Sequence, residues 1–189
     1  GHILAFGHRF MAAGEIEVGL APADIVHVVS SQRRSYKLSN IGSVRGTFFE
    51  DRLTGIRGTL TRKPRMIPVK LEVDDGSLPA ELSFRVFRHV TKSPTVLTLA
   101  LASALTQRMG NAFGGTVHLS GNMEMEGFEP LRFHDVVAHP GQSSLAALAA
   151  IRAMAFFSAV WNHPFGAPPP ISLTVSAKVD SEPIIDWID

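Results

Sequence analysis

Val44–Leu60 reads VRGTFFEDRLTGIRGTL, and within it Arg45-Gly46-Thr47 returns twelve positions later as Arg57-Gly58-Thr59. β-Branched and aromatic residues flank both copies, and the polar stretch Glu50-Asp51-Arg52-Leu53-Thr54 lies between them as turn material. That order predicts a β-hairpin. A glycine inside each strand marks a bulge or a close approach of two backbones, because it brings no side chain to pack.

Working outward, the first seventy residues show the same character. Ile3 to Phe6, Asp24 to Ser30, Ser35 to Leu38, Gly55 to Leu60 and Ile67 to Val73 read as short strands between glycine-bearing turns, with no helical period. Beyond the turn signal Asp75-Gly76 the pattern changes. Glu81 to His89 alternates like a half-buried strand, and Ser93-Pro94 offers a cap and a first-turn proline for a helix over Val96 to Met109. Thr116 to Glu126 and Glu129 to Ala138 read as paired strands. Ser143 or Ser144 caps a second helix to about Trp161, and Ile171 to Val179 is a last strand. The expectation is a mainly β chain with α structure: a β region over 1–75 and an α+β region over 76–189 with two buried helices.

Composition limits what such a chain can do. It has 189 residues, 45% of them hydrophobic and 19% charged, enough for one substantial core or two small ones. No cysteine is present, which excludes a thiol nucleophile, a zinc-thiolate site and a disulfide framework. A net charge of +1 argues against nucleic acid as a partner. The charge is unevenly spread, however: residues 1–70 hold 11 Lys and Arg against 5 Asp and Glu, and residues 71–189 hold 7 against 12. The opposite signs suggest two subregions that attract each other, and the rival reading is a basic face for an anionic partner formed by Arg33, Arg34, Lys37, Arg62, Lys63 and Arg65. The longest apolar stretch, Leu145 to Trp161, carries Arg152 at its middle, so it reads as a buried helix and no transmembrane segment is expected. Gly1 in place of a methionine and the strand-like close IIDWID suggest a piece of a longer polypeptide.

Eight histidines are the candidates for chemistry. None has the spacing of a helical metal-ligand pair or stands beside a carboxylate cluster, so no metal site and no cofactor is expected. His8 has a distinctive setting. It follows the apolar strand Ile3 to Phe6 through Gly7, where a strand ends and the backbone can turn, and histidine suits a general base near neutral pH. His2 reads as a hairpin-turn residue. Asp24 and Asp51 are the acids available to partner a base, though each reads more simply as a turn or surface residue.

LAFGHRF, the Val44 to Leu60 stretch and MIPVKLEV together resemble the histidine-bearing region of the SpoIVB peptidase family, serine peptidases of bacterial sporulation and their larger bacterial relatives. His8 matches the family's Gly-His dipeptide, and Gly46, Gly55, Ile56 and Gly58 match its two glycine-bearing strands. The resemblance covers about residues 1–75. It implies a β-barrel-like, trypsin-type first region, with His8 as the catalytic base of a serine endopeptidase acting on peptide or protein. It also implies a location that is exported, periplasmic or in the cell envelope. The family's nucleophile lies in a Gly-Met-Ser-Gly-Ser-Pro segment, and this sequence contains none. The serine would therefore come from the remainder of the parent polypeptide, and this chain alone would be inactive. The other reading is a non-catalytic cell-envelope binding or scaffold domain that keeps the framework without its chemistry.

Overall fold

In the computed structural model the described residues are 1–6, 9–33, 35–110, 114–141, 144–162, 164 and 170–180. They form a mainly β structure with two helices, and the chain divides into two compact units, Gly1–Met66 and Ile67–Asp189.

The first unit contains β1 (His2–Phe6), β2 (Gly14–Leu20), β3 (Ala23–Val29), β4 (Tyr36–Ile41), β5 (Gly46–Arg52) and β6 (Gly55–Thr59). β5 and β6 are the expected hairpin, with Thr47 opposite Thr59 and Arg52 opposite Gly55. Its turn is shorter than the sequence suggests. Only Leu53 and Thr54 turn, while Glu50, Asp51 and Arg52 belong to β5. The two Arg-Gly-Thr copies face each other at close range: a Cβ on Gly46 would stand 2.2 Å from the Thr59 carbonyl oxygen, and one on Gly58 2.9 Å from that of Thr47.

β1 and β2 extend this hairpin on either side into an antiparallel sheet of order β1-β6-β5-β2. β2 has no counterpart in the sequence reading, although Ile16, Val18 and Leu20 alternate along it. Its register with β5 shifts between Glu15 and Val18. Past the sheet the β2–β5 ladder continues through the Arg45 N–H donating to the Leu20 carbonyl (2.8 Å) and the Gly42 N–H donating to the Pro22 carbonyl (2.9 Å). Those bonds lead into β3 and β4, which among the described strands pair with each other alone.

The described strands thus form three open sheets and no closed barrel, where a barrel-like first region is expected. The reason lies in the edges. β1 and β2, the outer strands of the four-stranded sheet, are not hydrogen-bonded to one another, and the β3–β4 ribbon pairs with neither.

The second unit holds β7 (Met66–Asp74), β8 (Ala80–Phe87), α1 (Lys92–Met109), β9 (Gly114–Met125), β10 (Leu131–Pro140), α2 (Leu145–Asn162) and β11 (Pro170–Asp180). The sheet order is β10-β9-β11-β7-β8, with β10–β9 and β9–β11 antiparallel and β11–β7 parallel. Residues 67–75, read with the first region, instead supply most of β7 to this sheet. Its alternation sends Ile67, Val69, Leu71 and Val73 into the core and leaves Lys70, Glu72 and Asp74 on the other face.

Both helices pack on that core and on each other. α2 is long and apolar enough to span a bilayer by length and composition. Its Leu145, Ala149, Ala153 and Phe157 face is nonetheless buried on the sheet, and Arg152 donates from Nε (2.9 Å) and Nη2 (3.2 Å) to the Asp135 carboxylate of β10. α1 begins earlier than Val96, and Ser93 is not its cap. Ser93 is fully buried, with Oγ donating to the Phe87 carbonyl and accepting from the His89 N–H. Thr91 is the cap residue, and the His89 Nδ1 before it accepts from the N–H groups of Thr91 and Lys92 at 3.2 Å each.

Candidate functional site

β1 runs to Phe6 in register with β6, so the chain reaches Gly7 from a paired strand. His8 and Ser143 lie outside the described residues. Description of the site begins again at Arg9, and the segment from there to Ala13 is organised by one side chain. Asp51 of β5 is 1% exposed, and this segment closes over its carboxylate. Its Oδ1 accepts from the Phe10 N–H (2.9 Å), and its Oδ2 accepts from those of Met11 (2.6 Å) and Ala13 (3.2 Å). Ala12 takes a positive φ of 53°, rare for a residue with a side chain, as the backbone wraps the carboxylate. Phe10 closes the arrangement by setting its ring edge-on to Phe48, with centroids 5.5 Å apart.

Two opposed influences set the charge of Asp51. Burial pushes its carboxyl up, but the N–H groups of Met11, Phe10, Ala13 and Ala12 together outweigh it and hold the pKa below the ordinary 3.8. A carboxylate with both oxygens so engaged is a positioning group. It fixes the chain immediately after the Gly7-His8 pair onto the β5–β6 hairpin. Sequence reasoning took Asp51 for a turn or surface residue. The partner backbone lies about forty residues away, and no local pattern reveals it.

The other acid, Asp24, is exposed in β3 opposite Asn40. His2 is a strand residue of β1 opposite Thr59, not a turn residue. It lines an open depression of about 510 Å³ with Glu15, Glu17, Glu50, Phe49 and Arg62 among its neighbours. Arg62 and Arg65 lie 3.8 and 3.7 Å from Glu17, so those carboxylates and cations largely answer one another. Among the described residues no three His, Asp or Glu side chains gather as a metal site would require.

In the second unit, His118 Nε2 lies 3.3 Å from Asp180 Oδ2, across the β9–β11 ladder. Lys70 bridges Glu72 (2.8 Å) and Glu81 (3.1 Å), and Ser176 donates to Glu72. Ser144 precedes α2 and accepts from the Ala147 N–H at 3.4 Å, which makes it a helix cap. No family model, curated protein or solved structure matches the chain.

Proposed function

We propose that the first unit is the histidine-bearing part of a SpoIVB-like serine endopeptidase, exported to the periplasm or cell envelope. His8 would be its general base, and the nucleophilic serine would come from outside this chain. The observation that carries this reading is the Asp51 carboxylate. It ties the residues following Gly7-His8 to the β5–β6 hairpin, joining two of the three segments on which the family resemblance rests. In this reading the four-stranded sheet is one side of a trypsin-type barrel completed by other strands of the parent. The reaction is acyl transfer: the serine Oγ attacks the scissile carbonyl, His8 takes its proton and returns it to the leaving amine.

The test is peptide cleavage by the full-length parent. His8→Ala should lower kcat/KM by about 10³ or more while the melting temperature holds, as loss of a triad base does. His2→Ala should change it less than about threefold. A folded His8→Ala parent with full activity would leave the second reading, a non-catalytic envelope binding domain. That reading is favoured by the exposed apolar β3–β4 ribbon.

A further inference from the structure

Among the described residues the strands of the β3–β4 ribbon are the least covered. Ile25, Val26, Val28, Tyr36, Leu38 and Ile41 are each between 49% and 79% exposed. Cross-strand pairing puts them on both faces: Leu38 beside His27 and Tyr36 beside Val29 on one, Ile41 beside Ala23 with Val28 and Ile25 on the other. Neither strand has a second strand beside it among the described residues. Two strands with open edges are marginal in water, and a third strand with an apolar face is what stabilises such a unit.

The charge leans one way as well. The ribbon and its turn, residues 23–41, carry Arg33, Arg34 and Lys37 against the single acid Asp24, and Arg45 follows just beyond. Where the ribbon leaves the four-stranded sheet, Ile3, Leu20, Pro22 and Leu60 line an apolar depression of about 530 Å³, with Arg45 beside them.

We infer that the β3–β4 ribbon is a docking arm for an extended, acidic polypeptide segment of a partner. The segment adds a strand to an open edge and sets an apolar side chain in the depression at the arm's base. Strand addition explains why both faces are apolar, since an added strand places alternate side chains beside each. A lipid surface would offer no partners to the edge N–H and C=O groups, whereas a strand does. A second copy would bring an equally cationic arm against this one. The inference goes beyond the peptidase proposal and stands independently of it, because its readout is binding and needs no turnover.

The experiment uses the whole chain and three labelled octapeptides: acetyl-(Glu-Val)4-amide, its Lys-Val counterpart, and the acidic peptide with its two central valines replaced by proline. Anisotropy should show saturable binding of the Glu-Val peptide, at least tenfold tighter than either control. Amide exchange should slow over residues 23–29 and 36–41, and the Arg33→Glu, Lys37→Glu double variant should bind at least tenfold more weakly. Equal binding of the proline peptide would reduce the arm to a charged surface and overturn strand addition. So would absence of peptide binding, sedimentation with phosphatidylglycerol vesicles without peptide protection, or dimerisation through the arm alone.

Discussion

Asp51 shows how one side chain can organise a segment that has no regular structure of its own. Four backbone N–H groups outweigh the cost of burying its charge, and removing the carboxylate takes away the acceptor they share. Asp51→Ala should therefore cost about 1–3 kcal/mol, the range for leaving buried donors unpaired. Asp51→Asn should recover little, because its amide turns a donor toward other donors. The expected readout is a loss of amide protection at Phe10, Met11 and Ala13, and unchanged protection there in Asp51→Asn would refute the role. The pH dependence has a definite sign. Folding lowers this pKa, so the stabilisation is complete above the unfolded value of about 3.9 and fades as pH falls through the lower folded value. Protection factors of the three amides should hold from about pH 7 to pH 5 and collapse in stronger acid, a step the Asn variant lacks. None of this could be read from the sequence, where Asp51 sits in a polar run indistinguishable from a turn.

At the scale of elements, two glycines separate backbone constraint from side-chain constraint. A Cβ on Gly46 meets the backbone of Thr59 and Leu60, which cannot withdraw without opening the β5–β6 ladder. A Cβ on Gly121 meets the Phe133 ring, the nearest atom at 2.1 Å, in the register where the two residues face each other across β9 and β10. Both alanine variants should lose about 1–3 kcal/mol, as overpacked sites do. Only the second should be rescued in part by Phe133→Ala, which removes the obstacle. A double-mutant cycle by urea unfolding measures this, and strict additivity at 121 and 133 would contradict the packing described. Most elements were legible because their signals are local. Two helical runs, alternation in β7 and β9 and the repeated tripeptide each lie within one stretch of chain. β2 was missed because glycine at both 14 and 19 and a register shift interrupt its short alternation. The start of α1 was misplaced because Ser93 spends its hydroxyl on β8, a contact that cap statistics do not encode. The candidate site was legible only as far as its Gly-His dipeptide.

Across the whole molecule burial is unequal. Among the described residues the continuous apolar core begins at Ile67, and it joins Leu71, Leu105, Leu119, Leu145, Phe157 and Leu173 in one cluster. In the first unit the described buried side chains are the apolar Ile16 and Phe48 and the polar Thr47, Asp51 and Thr59, beside the buried glycines Gly46 and Gly58. A unit of this length with so thin an apolar interior is marginal by itself, and its order rests on backbone ladders and on Asp51. The second unit has what independent folding needs: a five-stranded sheet covered by two helices that bury its apolar face. Residues 67–189 expressed alone should therefore melt cooperatively. In the full chain, the amides of β1, β2, β5 and β6 should lose protection at lower urea than those of β7, β9 and β11. Native-state hydrogen exchange resolves the two sets. Their loss at one common urea concentration, with a 67–189 piece that fails to fold, would mean that the larger core depends on the smaller unit and that burial misjudges where the stability resides.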